Sequence, residues 1–139
     1  MDRRRAYLDS SVALRVLLHE PEALPKLARW DLVASELVEV EVRRALHRLN
    51  LDRTLSSEAL ALLTGELHLL LSAVDQVPIS RAILNRAGGP MATPVKTLDA
   101  IHLATALTWS EYHGREILFL THDRQLATAA RACGLTVHP

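Results

Sequence analysis

Three aspartates occupy positions where acids commonly do chemistry in layered α/β proteins. Asp9 follows the short apolar run Ala6-Tyr7-Leu8, and Asp123 comes three residues after the apolar run that ends at Leu120. Asp99 falls just inside a helical stretch opened by Thr97. Each one alone reads as an ordinary helix-cap or first-turn residue, worth about 1 kcal/mol of helix stability. Their joint placement says more, because the C-terminal ends of strands in an open parallel sheet form its ligand-binding edge. Carboxylates gathered at such an edge repel one another, and a shared proton or a hard divalent cation relieves that repulsion. A fourth acid is expected from the helix after Ser35. Glu39 and Glu41 flank its apolar stripe of Val38, Val42 and Leu49 on opposite sides, so periodicity does not choose between them.

The elements that must position these acids follow from hydrophobic spacing and punctuation. A strand is expected at residues 6–8, with a helix from Ser10 onward carrying Val12, Ala13, Val16 and Leu17. Pro21 opens a short helix over residues 21–30, and residues 32–34 form a second strand. Ser35 caps a helix reaching residue 50, and Ser56 opens a long Leu-rich helix to residue 73. Residues 74–79 are extended, and Ser80 caps a short helix that stops before Gly88-Gly89-Pro90. After a loop, Thr97 caps a helix running towards Trp109. Residues 117–120 are the strongest strand, a continuous apolar run of the kind buried on both faces of a parallel sheet. A helix to residue 132 and a strand over residues 135–137 complete the pattern. Alternating strands and helices imply a layered α/β fold with a mainly parallel sheet.

Composition narrows the function. The 139 residues, 49% hydrophobic and 23% charged, suit a single domain over residues 1–139. Sixteen basic residues balance sixteen acidic ones, which excludes a uniformly basic coat and makes any charged function local. Lys26 and Lys96 are the only lysines, the other basic residues being arginine, whose planar fork suits phosphate. The single Cys133 excludes an intrachain disulfide or a multi-thiolate zinc site and fits a reducing, cytoplasmic setting. Arg3 to Arg5 followed by apolar residues imitates a signal peptide, but Asp9 and Arg15 interrupt the stretch and no small-residue cleavage site follows. The apolar stretch at residues 67–74 is far short of the roughly 20 residues a membrane helix requires, so no membrane role is expected. Zinc-peptidase and phosphate-loop motifs are absent.

Four blocks, YLDSSVAL at residues 7–14, SELVEVEVRRAL at 35–46, LDAIHLATAL at 98–107 and FLTHDRQL at 119–126, resemble in order and separation the PIN-domain family. Within that family they resemble the VapC-type toxin ribonucleases of toxin-antitoxin modules. The resemblance implies a three-layer α/β/α fold and a metal-dependent endoribonuclease that leaves a 5'-phosphate and a 3'-hydroxyl. It implies Asp9, Glu41, Asp99 and Asp123 as the catalytic, metal-holding acids, selecting Glu41 over Glu39. Mg²⁺ is the implied cofactor, with Mn²⁺ able to substitute, and Ser10 and Thr121 are the implied supports of the acids. RNA is the implied substrate, a VapB-type antitoxin the partner, and a homodimer the assembly. Since bare acids repel RNA, flanking cations are needed, and Arg43, Arg44, Arg86, Lys96 and Arg124 are the candidates. His102 and His122 are assigned no role; His102 reads as a half-buried packing residue. The competing function is a catalytically silent PIN-fold module that binds RNA or an antitoxin.

Overall fold

The apolar run before Asp9 becomes the central strand of a parallel sheet. The computed structural model describes residues 3–19 and 27–138. In chain order the described elements are β1 (Arg4–Leu8), α1 (Ser10–Leu17), a 3-10 turn (Leu27–Arg29), β2 (Trp30–Ser35), α2 (Leu37–Leu51) and α3 (Ser57–Ser72). They continue with β3 (Val74–Val77), α4 (Arg81–Ala87), α5 (Thr97–His113), β4 (Leu118–Leu120), α6 (Arg124–Ala132) and β5 (Thr136–His138). Most of the helix expected over residues 21–30 lies outside the described residues. The strand order is β3-β2-β1-β4-β5, and every described pairing is parallel.

Side chains alternate across the strands and divide the core in two. Ala6, Leu8, Leu32, Ala34, Leu118 and Leu120 pack with Val12, Val38, Leu46 and Leu67 of α1, α2 and α3. Tyr7, Val33 and Phe119 face the other way, against Leu103, Ala106, Leu126 and Ala129 of α5 and α6. This is the three-layer α/β/α arrangement expected from the sequence, with a sheet parallel throughout. Register places Tyr7 beside Val33 on one side and Phe119 on the other. The Tyr7 and Phe119 rings stack at 5.2 Å.

Two expected caps differ in detail. Thr97 is the first residue of α5, and Lys96, whose side chain has no oxygen to accept an N–H, holds the cap position. Ser35 ends β2 while its hydroxyl accepts from Leu37 N at 3.1 Å, and Glu36 at the cap position accepts from Ile79 N at 2.9 Å, clipping the chain after β3 to the start of α2. Ser56 and Ser80 do cap, accepting from Ala59 N and Ile83 N. Gly114 closes α5 in the left-handed region at φ 59°, where a side chain would be strained. No helix among the described residues is long and apolar enough to cross a membrane.

Leu46 is fully buried where α2 meets the sheet and α3. Leu46→Ala is expected to remove about 3 kcal/mol of unfolding free energy. Urea denaturation checks this, and a loss below about 1 kcal/mol would contradict the packing described.

Candidate functional site

Strand order places the site. From β1 the chain first builds outward through β2 and β3, then returns to the other side of β1 with β4 and β5. The crevice between the C-terminal ends of β1 and β4 is therefore the point where strand order reverses, the usual binding position in open α/β sheets. Asp9 stands at the end of β1, and its N–H donates to Leu120 O at 3.2 Å, extending the pairing with β4. Thr121 stands at the end of β4.

Asp9 holds the N-cap position of α1 without using its side chain as a cap. Asp9 is 3% exposed, and its Oδ2 accepts from Ser11 Oγ at 2.6 Å and Thr121 Oγ1 at 2.8 Å. The hydroxyl from α1 that reaches Asp9 is thus that of Ser11, where the sequence pointed to Ser10. Both hydroxyls also accept from the turn after β4: Ser11 Oγ from His122 N at 3.2 Å and Thr121 Oγ1 from Asp123 N at 3.0 Å. They therefore tie the β4–α6 turn to the start of α1 through the Asp9 carboxylate.

Glu41 and Glu39 diverge. Glu39 accepts from Arg43, one turn along α2, at 3.2 Å. Glu41, about 200° round the helix from Glu39, turns to the sheet edge, where its Oε1 lies 2.5 Å from His102 Nε2. His102 is fully buried in α5 rather than half-buried, and Nε2 is also 3.9 Å from Asp9 Oδ1. Its Nδ1 meets the Tyr7 hydroxyl at 2.6 Å, and the Tyr7 oxygen accepts from Ser35 N at 3.2 Å. Burial by itself depresses the His102 pKa; the hydrogen bond to Glu41 and the charges of Asp9, Glu41 and Asp99 outweigh it and leave the value raised. Burial likewise pushes the Tyr7 phenol well above its ordinary value, so the hydroxyl keeps its proton.

Asp99 is the third residue of α5, three before His102, and the two share a helix side. Its pKa is raised first by burial and then by the charges of Asp9, Asp123 and Glu41. Asp123 is exposed and caps α6, accepting from Leu126 N at 3.0 Å. Asp99 thus lies within electrostatic reach of the other three acids at one edge. As oxygen donors they suit a hard divalent cation in kind. Their spacing is open: among the described residues no group of three or more His, Cys, Asp or Glu stands close enough together to hold a metal ion.

The candidate cations divide. Arg44 lines a groove with Ser10, Ser11, Glu41 and Leu98, and Arg48, which sequence reasoning did not select, lines it too. Arg124 borders a hollow with Thr121 and Asp123, joined there by Arg131. Lys96 is exposed three residues before Asp99. Arg43 is directed to Glu39 and to His68 of α3, at 2.9 Å from the latter, on the flank away from Glu41. Arg86 makes a bidentate pair with Glu111 at 2.7 and 2.8 Å. Glu111 lies about 18 Å along α5 from Asp99, so this pair staples α4 to α5 instead of flanking the acids.

The family model for the PIN domain matches residues 6–132. The chain belongs to the PIN domain family. Among PIN-domain relatives, Ribonuclease VapC46 of Mycobacterium tuberculosis (strain H37Rv) is 34% identical over 135 residues, covering 94% of each chain. Ribonuclease VapC47 of Mycobacterium tuberculosis (strain CDC 1551) is 27% identical over 128 residues, covering 92% of this chain and 91% of that one. The PIN fold also matches VapBC2 from Rickettsia felis bound to a promoter DNA fragment, with TM-score 0.67, 13% identity and coverage of 96% and 97%. A toxin-antitoxin complex from Klebsiella pneumoniae matches with TM-score 0.64, 19% identity and 96% coverage of both chains.

Asp99 supplies a test of the electrostatics. Because its folded-state pKa is raised, the stability linked to it is fully present below the ordinary carboxylate range and is lost as pH rises through the raised value. Asp99→Asn is expected to raise the melting temperature of chelator-treated protein at neutral pH by about 2 °C, the gain shrinking as pH falls into the carboxylate range. A lower melting temperature at neutral pH would contradict the repulsion described.

Proposed function

We propose that this PIN-domain chain is the toxin ribonuclease of a VapBC-type toxin-antitoxin pair, a divalent-metal-dependent endonuclease acting on RNA. The observation that carries the proposal is a nearly fully buried carboxylate, Asp9, at the reversal point of the sheet, with Asp99, Glu41 and Asp123 facing the same edge. Kinship with VapC ribonucleases and likeness to toxin-antitoxin complexes support it.

In this reading Asp9 and Asp99 are the central ligands of Mg²⁺ or Mn²⁺, and Glu41 and Asp123 hold it directly or through water. Such a cation, when bound, supplies Lewis acidity and charge neutralisation at the scissile phosphate. Ser11 and Thr121 fix the Asp9 carboxylate through Oδ2 and leave Oδ1 to the site. Arg44, Lys96 and Arg124, with Arg48 and Arg131 beside them, offset the repulsion between the acids and the RNA backbone and guide a strand across the edge. Cleavage leaves a 5'-phosphate and a 3'-hydroxyl. Residues 1–139 act as one domain, pair as a homodimer, bind a VapB-type antitoxin and work in the cytoplasm.

The open spacing of the acids favours a second reading, a PIN-fold module that binds RNA or an antitoxin without cutting. Structured RNAs incubated with the purified chain separate the two. Cleavage is expected with Mg²⁺, is abolished by chelation, and falls at least about a hundred-fold in Asp9→Asn. Equal cleavage by parent and variant would sink the proposal, and RNA binding without turnover would establish the second reading.

A further inference from the structure

His102 has both ring nitrogens engaged and no exposed surface. The Glu41 carboxylate, an acceptor, sets the proton at Nε2. Ser35 N–H donates to the Tyr7 oxygen, and the Tyr7 hydroxyl shares a 2.6 Å hydrogen bond with His102 Nδ1. A neutral ring that accepts at Nδ1 carries its hydrogen on Nε2. The protonated ring carries one there as well, and because a carboxylate oxygen only accepts, Nε2–H donates to Glu41 Oε1.

We propose that His102 is a positioning residue for the carboxylate site, holding Oε1 of Glu41 so that the second carboxylate oxygen is kept for a divalent cation shared with Asp9. The proposal rests on the metal-dependent reading above. Two observations beyond the hydrogen bond support it. The same Nε2 lies 3.9 Å from Asp9 Oδ1, so one buried atom spaces two of the acids. The backbone N–H of Ser35 and the stacked Tyr7 ring leave the imidazole little freedom, so it can hold a glutamate that would otherwise sample many rotamers. Side chains that hold a metal ligand in this way are worth about ten- to a hundred-fold in metal affinity.

His102→Gln and His102→Asn discriminate between holding Glu41 and merely filling a polar slot in the core. The Gln amide places its nitrogen near the position of Nε2 and retains the donor to Glu41. The Asn amide reaches only the Nδ1 side and retains contact with Tyr7. Mn²⁺ binding to the purified full chain, read by electron paramagnetic resonance of the free ion, is expected to be within about three-fold of the parent for His102→Gln and at least about ten-fold weaker for His102→Asn. Thermal melting verifies that each variant is folded, and His102→Leu replaces the Asn variant if that one does not fold. Parent-like binding by the variant lacking the donor, or binding by His102→Gln as weak as by that variant, would overturn the proposal. Absence of Mn²⁺ binding by the parent would overturn the metal reading and this inference together, whereas equal binding by all three proteins overturns the inference alone.

Discussion

Keeping carboxylates at one partly buried sheet edge supplied with hydrogen-bond donors is the constraint on which the site depends. Asp9, Glu41, Asp99 and Asp123 come from four different helix starts or faces, and burial first, then the charges of the other three, raise the Asp99 pKa. The surrounding groups counter that cost with donors. Two hydroxyls donate to Asp9, His102 donates to Glu41, and the first-turn N–H of Leu126 donates to Asp123. Buried acids without such partners would be among the most destabilising features a small domain could carry.

These contacts also join the layers of the fold. Ser11 and Thr121 meet on one oxygen of Asp9 and each receives a backbone N–H from the turn after β4, so the ends of β1 and β4 are locked where the strand order reverses. Tyr7 connects in the other direction. Its ring stacks on Phe119, its oxygen receives Ser35 N–H from the end of β2, and its hydroxyl hydrogen-bonds His102 on α5. The carboxylate edge is therefore held by β1, β2, β4, α1, α2 and α5 together, and its geometry follows from the core rather than from mobile loops.

Patterns confined to one element were readable in the sequence. The buried run around Phe119 announced a strand covered on both faces, and the acids at Asp9 and Asp123 could be placed at strand ends because apolar runs stop just before them. The Leu-rich helix and its Ser56 cap emerged for the same local reason. Features that depend on a partner across the fold were not readable. Periodicity left Glu39 and Glu41 tied because the choice depends on His102, 61 residues further on, and His102 looked like ordinary packing because nothing near it in sequence names Tyr7 or Glu41 as its partners. The pairing of Arg86 was hidden for the same reason, since Glu111 comes from a different helix. Ser10 and Ser11 are adjacent hydroxyls, and only the turn of α1 determines which one folds back on Asp9.

The divalent cation proposed at the edge around Asp9 is open to direct observation. Anomalous diffraction from crystals grown with Mn²⁺ tests it most directly. The expected result is a Mn²⁺ peak ligated by Asp9 Oδ1 and by Asp99, at about 2.2 Å from the oxygens. Peaks confined to other surfaces, with the Asp9 carboxylate still bound only to Ser11 and Thr121, would contradict it.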